Sequence, residues 1–284
     1  MILEQNLQLH RKDKKTIVYD VSYLPDGKAK PIVIFCHGYK GYKDWGAWKL
    51  VADKFASEGF FFLKFNFSHN GGTVDNPIDF PDLEAFSENN LSKELDDLED
   101  IINLVSTSNS FKDEIDSEII SLIAHSRGGG IILIKSSENK KVKNVITWAG
   151  VSDYKERFLI KSEYFKTWEK KGITYIENSR TKQQMPHKFQ FYKDFEANEE
   201  RLTIKRAIKN IKVPILIVQG SDDPTVLEPE GRQLHKWNLN SKLLIIENGD
   251  HSFGTKHPWE ENKLPNDLQK VVEKSISFLK ETNK

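Results

Sequence analysis

The stretch "LIAHSRGGG", Leu122 to Gly130, decides how the rest of the chain is read. An apolar run ends in a histidine, a serine and an arginine, and three glycines follow at once. "SLIAH" reads as a buried strand, Ser126 as the turn and "RGGGIILIKS" as the start of a helix. A serine on so sharp a strand-to-helix turn projects its hydroxyl above the carboxyl edge of the sheet, where ligands bind in open α/β folds. Gly128 and Gly129 let strand and helix approach without side-chain clashes. The competing role for such a serine is a helix N-cap, which needs no chemistry at all.

Outward from this stretch, short runs rich in Val, Ile and Phe recur: "PIVIFC" from Pro31, "FFFLKFNF" from Phe60, "NVITWAG" from Asn144, "PILIVQG" from Pro214 and "KLLIIENG" from Lys242. Near-continuous apolarity points to strands covered on both faces. Helical patterns lie between them, at Trp45 to Ser57, Leu91 to Thr107, Arg127 to Ser137, Glu230 to Trp237 and Leu268 to Lys280. Strand and helix alternate, which predicts right-handed crossovers and a doubly wound, mostly parallel α/β sheet. "LQLHRKD" and "KTIVYDVSYLP" read as an antiparallel pair at its edge. Residues 1–284 are therefore expected to form one domain. From Val151 to Asn210 the rhythm breaks, with about 60 residues between strands where a few would do. This inserted segment after strand 6 is aromatic-rich and partly helical in pattern. Two readings stand: a cap or lid lining a substrate pocket, or an extra helical layer on the sheet.

Composition narrows the partners. Lys plus Arg number 42 and Asp plus Glu number 42, so the chain has no overall pull toward nucleic acid or anionic membranes. The start lacks a basic region followed by a sustained apolar one, and no apolar run reaches the length of a membrane span. A cytoplasmic location is the expectation. Cys36 is the single cysteine, which excludes an internal disulfide and a multi-cysteine metal site. It reads as a small buried hydrophobe.

A serine hydroxyl is a weak nucleophile until a base takes its proton. "VQGSDDPTV" places Asp222 and Asp223 just after one strand, and "IIENGDHSF" places His251 just after the next. Four motifs in this order resemble the α/β-hydrolase superfamily over nearly the whole chain, in its dienelactone-hydrolase-like and prolyl-oligopeptidase-like esterase branch. "AHSRGG" is similar to the G-x-S-x-G nucleophile elbow, with Ala124 in place of the first glycine. "CHGYKG" from Cys36 is similar to the family's HG oxyanion loop, "GSDDPTV" to the segment that carries the acid, and "GDHSFGTKHP" to the loop that carries the histidine. The resemblance implies an α/β-hydrolase fold and a triad of Ser126, Asp223 and His251. It further implies an oxyanion hole from the backbone N–H groups of Tyr39 and Arg127. Asp223 sits three positions past Gly220, and Pro224 biases it toward extended backbone, so Asp222 is read as the turn-capping neighbour.

The expected activity is hydrolysis of a small-molecule acyl ester through an acyl-enzyme, with no cofactor and no metal. The alternatives are a peptidase or acyl-thioesterase on the same triad, because the pocket and not the triad selects the leaving group. A non-catalytic hydrolase-fold binding protein is the reading from another class. Three further histidines are given structural roles: His125 as a hydrogen-bonded core residue, His37 as a shaper of its loop, and His257 as a structural loop residue, with pocket lining as its alternative. In "FNFSHNGGT", His69 and Asn70 read as solvent-exposed turn chemistry, with the border of the pocket as the alternative. The Arg127 side chain reads as half of a buried ion pair, with a substrate carboxylate as the other use.

Overall fold

The computed structural model describes residues 1–107 and 111–283. An antiparallel pair, β1 (Ile2–Arg11) and β2 (Lys14–Tyr23), leads into β3 (Lys30–Cys36), α1 (Trp48–Ser57) and β4 (Phe61–Phe65). After the short α2 (Leu83–Ser87) and α3 (Leu91–Thr107) come β5 (Ile115–His125), α4 (Arg127–Glu138) and β6 (Val142–Trp148). The segment beyond β6 holds α5 (Glu163–Lys171), a hairpin of β7 (Ile173–Glu177) and β8 (Gln184–Lys188), α6 (Gln190–Ala197), α7 (Glu199–Leu202) and α8 (Ile204–Asn210). The chain then runs through β9 (Ile215–Gly220), α9 (Glu228–Trp237), β10 (Lys242–Ile246) and α10 (Asn266–Thr282).

Eight strands form one sheet in the order β1-β2-β4-β3-β5-β6-β9-β10, parallel from β4 to β10 and antiparallel at the β1, β2 edge. This is the doubly wound α/β sheet the alternation predicts. Its faces carry separate cores. On one, Leu95, Leu98 and Ile102 of α3 meet Ile131 and Leu133 of α4 and Ile208 of α8. On the other, Val51 and Phe55 of α1 meet Val271, Val272 and Leu279 of α10. The central strands have apolar side chains on both faces because both faces are covered.

Three expectations change. The segment after β6 is not only helical: β7 and β8 pair antiparallel from Ile173↔Lys188 to Glu177↔Gln184, a second small sheet. Its strands, "ITYIE" and "QMPHK", lack the apolar run that marks the central strands. The first helix begins at Trp48 rather than Trp45, because residues 42–47 are spent on turns such as Trp45 N–H to Tyr42 C=O at 3.1 Å. And the "FNFSHNGGT" loop is not exposed. Asn70 is buried, donating to the Gly41 carbonyl at 3.2 Å, while Asn66 accepts from the Lys43 amide at 2.7 Å. The loop after β4 thus clamps the loop after β3.

Beneath that clamp lies a buried square of charge. Asp20 on β2 faces Lys64 on β4 in register, and both are about 1% exposed. Lys43, fully buried, bonds Asp20 at 2.8 Å and Asp44 at 2.5 Å, and Lys64 pairs with both aspartates. Burial pushes the Asp44 carboxyl up, but Lys64 and Lys43 outweigh it and hold it below the ordinary range. Removing one partner from such a set strands charge without water, typically at 3–5 kcal/mol. Asp20→Asn is therefore expected to lower stability by about 3–5 kcal/mol in urea unfolding. A loss under about 1 kcal/mol would mean that water reaches the two ammonium groups.

Candidate active site

Register brings the site together. Cys36 pairs with Ala124, His125 with Trp148, Trp148 with Val218, and Ile246 with Gly220. The carboxyl ends of β3, β5, β6, β9 and β10 are therefore level, and the loops that leave them share one edge of the sheet. Residues 37–47, Ser126, Asp223 and His251 all lie on those loops.

Ser126 sits between β5 and α4 at φ 58° and ψ −124°, backbone that L residues rarely adopt. The tightness behind it explains the glycines. A Cβ at Gly128 would stand 2.6 Å from the His37 carbonyl oxygen. The oxyanion-type loop is as close on the other side, where a Cβ at Gly38 would stand 2.8 Å from the Ser126 Cβ. Ala124, the departure from the elbow motif, is accommodated at the end of β5 with no exposure.

The Ser126 hydroxyl is 3.0 Å from His251 Nε2, and His251 Nδ1 is 2.8 Å from Asp223 Oδ2. Asp223 Oδ1 accepts from the amides of Thr225 at 2.8 Å and Val226 at 2.9 Å, and Oδ2 also accepts from Gln219 at 3.1 Å. Burial alone raises the Asp223 carboxyl; the His251 hydrogen bond and charge, with the two amides, more than reverse this and hold it below its usual value. An ionised Asp223 accepts only, so His251 Nδ1 carries the proton and Nε2 is free to take one from serine. Asp222 is exposed and accepts from Ser221 at 3.0 Å, away from the histidine.

The loop before the serine is held by His37. The Phe67 amide donates to His37 Nε2 at 3.2 Å, which puts the proton on Nδ1, and Nδ1 donates to the Gly38 carbonyl at 2.8 Å. Burial keeps this ring neutral, with its pKa near 4. The Tyr39 amide that follows has no protein acceptor among the described residues, and the Arg127 amide opens α4, where no helical carbonyl precedes it. His125 does more than fill the core. Its Nε2–H donates to the His251 carbonyl at 2.7 Å and its ring lies 4.7 Å from the His251 ring, so it fixes the loop that presents the histidine. Burial first, then the neighbouring His251, lowers it to about 3.

The Arg127 side chain pairs with Glu94 of α3, which is 1% exposed, and its guanidinium stacks 5.1 Å from the Tyr39 ring centre and 5.7 Å from that of Phe191. Glu94 is pushed up by burial and partly brought back by Arg127. Sequence reading foresaw a buried ion pair here, though not its partner. It missed Tyr39 as a tie to the hairpin: the Tyr39 hydroxyl lies 2.8 Å from His187 Nε2 on β8, across 148 residues of sequence that carry no local signal.

Two cavities meet at Ser126. One, of about 250 Å³, lies under the segment after β6 and is walled by rings, among them Tyr154, Phe158, Trp168 and Phe191. The other, of about 490 Å³, opens between the loop after β3, the β7–β8 turn and the His251 loop. His251 borders only the second. His69 and Asn70 border neither.

The dienelactone hydrolase family profile matches residues 20–282. The chain belongs to the dienelactone hydrolase family. It is a hydrolase acting on ester bonds. No curated protein matches the sequence of this hydrolase. Among solved structures it is similar to Est1E from Butyrivibrio proteoclasticus, with a TM-score of 0.73 and 15% identity over 97% of this chain and 98% of the other. Est1E is also known with ferulic acid bound. An esterase domain from Rhodothermus marinus gives a TM-score of 0.65 at 16% identity, covering 98% of each chain. Dienelactone hydrolase from Anabaena variabilis gives 0.64 at 14%, covering 99% of this chain and 98% of that one. At such identities the likeness concerns the fold, and within it the hydrolase keeps the parallel sheet whose edge carries Ser126. Among its described residues no helix is long and apolar enough to cross a membrane.

The Tyr39–His187 bond is open to a direct check. Tyr39→Phe removes one partly buried hydrogen bond, a loss of about 1 kcal/mol. Ester turnover should fall by about fivefold with an unchanged circular dichroism spectrum, and an unaltered rate would show that the hairpin does not steady the loop.

Proposed function

We propose that this hydrolase is a serine esterase. Ser126 Oγ attacks the acyl carbonyl as its proton passes to His251 Nε2, and Asp223 holds the imidazole in the tautomer that can receive it. The carbonyl electrons collect on oxygen, which the amides of Tyr39 and Arg127 receive; such donors are worth about 3–4 kcal/mol each in the transition state. As the carbonyl re-forms, the acyl carbon–oxygen bond to the alcohol breaks and the departing oxygen takes the proton from His251. Water, deprotonated by the same nitrogen, then releases the acid from the acyl-enzyme. The single observation behind this reading is the unbroken relay from a strained serine through His251 to Asp223, at 3.0 and 2.8 Å.

The two cavities divide the substrate. The general acid must reach the leaving oxygen, and His251 borders only the larger cavity, so the alcohol lies there. The acyl group takes the smaller apolar cavity, whose volume of about 250 Å³ suits a body the size of one aromatic ring. Ferulic acid, bound to Est1E, is an acid of this kind. In this reading residues 151–210 are the cap of a single domain, supplying Tyr154, Phe158, Trp168 and Phe191 as the acyl walls. The substrate is a small ester, and the reaction needs no metal.

Purified protein should release nitrophenol from short-chain and aryl nitrophenyl esters and be labelled by a fluorophosphonate on Ser126; folded protein that takes no label would end the proposal. Asp223→Asn should cost about 10³- to 10⁴-fold in kcat by leaving His251 in the wrong tautomer. Asp222→Asn should stay within about twofold. The reverse ranking would move the acid by one position.

A further inference from the structure

The larger cavity has an unbalanced lining. Its charged side chains are Lys40, Arg180 and Lys256, with no aspartate or glutamate among them. Arg180 is compensated: it pairs with Asp79, which also accepts from Tyr42 at 3.1 Å. The other two are not. Half-buried Lys40 has one hydrogen bond among the described residues, to the Glu177 carbonyl at 3.5 Å, and stands 5.2 Å from the Tyr39 ring centre. Burial lowers its pKa, the mark of a desolvated ammonium with no matching anion. Lys256 is exposed and has no ionic or hydrogen-bonding partner among the described residues.

Nearby carboxylates are engaged elsewhere. Asp44 belongs to the buried square with Lys43 and Lys64, Glu177 pairs with Lys182 at 3.3 Å, and Asp250 turns back onto the amides of Ser252 and Gly254 at 2.9 Å each. His257 Nδ1 accepts from the Gly46 amide at 2.9 Å, which leaves its proton on Nε2, and Trp45 lies parallel to that ring at 6.3 Å.

The smaller cavity is the control within the same molecule. It too has two cations, but Arg127 is matched by Glu94 and Arg157 by Glu230. Charge is compensated where the acyl group is proposed to lie and left uncompensated where the alcohol lies. The chain as a whole is neutral, 42 basic against 42 acidic residues, so the excess is local.

From this contrast we infer that the cavity beside His251 receives an alcohol that bears an oxyanion, a carboxylate or a phosphate, held by Lys40 and Lys256. The natural substrate is then the ester of an apolar acid with an anionic hydroxy compound. The inference rests on the proposed esterase reading and adds the class of leaving group. An oxyanion drawn to two ammonium groups in a partly enclosed cavity lowers KM, and salt weakens the attraction as it screens exposed charge.

The test compares aryl esters of one acid that differ only in the alcohol: 4-carbamoylphenyl, 4-carboxyphenyl and 4-phosphonooxyphenyl. The anionic esters should show kcat/KM about tenfold above the neutral one, carried by KM, and the advantage should shrink between 50 mM and 500 mM salt. Whichever anion gains more identifies the source. In the double variant Lys40→Gln/Lys256→Gln the ratio of anionic to neutral should fall to about one. Equal kcat/KM for neutral and anionic esters in the unmodified enzyme, with Ser126 labelled by fluorophosphonate, overturns this inference and leaves the esterase standing. A wild-type ratio that persists in the double variant also overturns it. Absence of both labelling and hydrolysis overturns the esterase itself.

Discussion

Everything at this edge of the sheet depends on the backbone of Ser126 being held at a positive φ. That conformation costs on the order of 1–3 kcal/mol for a residue with a side chain, so it persists only where the surroundings over-determine it. They do so here through three backbone hydrogen bonds: Ser126 N–H donates to Trp148 C=O at 2.9 Å, and Ser126 C=O accepts from Gly129 at 2.9 Å and Val151 at 3.3 Å. Strand β6 and the start of the inserted segment therefore fix the serine from one side. The loop after β3 fixes it from the other, pressed so close that neither Gly38 nor Gly128 has room for a methyl group. The same tightness aims the hydroxyl at His251.

A loop packed against a strained turn must itself be anchored, and the anchors are polar. His37 ties it to the backbone after β4, Asn66 and Asn70 tie it to the next loop, and Lys43 and Asp44 sink its far end into the sheet opposite Asp20 and Lys64. Burying four charges is a poor route to stability, since apolar side chains of like size would do as well or better. It is a good route to one definite position, because the two ammonium groups are satisfied only when the loop lies in register with β2 and β4. His125 plays the matching part for the His251 loop through a single carbonyl.

How legible this was depends on whether a constraint is local. The central strands were plain because burial on both faces leaves a continuous apolar run. Ser126, Asp223 and His251 could be picked out as residues that meet because each follows a strand end and their order restricts the fold. The β7–β8 hairpin was not, since its exposed strands lack such a run. Tyr39–His187 and Arg127–Glu94 join positions distant in sequence, and nothing local marks either pair. The charge square left a trace that could have been used: a lone aspartate in "IVYDVSY" and a lone lysine in "FFFLKFNF", each within a strand too apolar to face water. Two opposite charges in neighbouring buried strands imply each other. Asn70 was misread for the converse reason, as turn-forming residues look alike in solvent and beneath another loop.

The asymmetry of the two cavities follows from the order of the proposed chemistry. The acyl group stays bound through both halves of the reaction, so its cavity gains from being apolar, with its arginines neutralised by Glu94 and Glu230. The alcohol leaves after the first half, and water must then occupy its place beside His251 to complete the second. A cavity that holds two uncompensated cations beside His251 serves both occupants in turn. An uncompensated cation is tolerable there because Lys256 is exposed and Lys40 only half-buried, whereas Arg127, packed between the Tyr39 and Phe191 rings, would without Glu94 be a charge with little water.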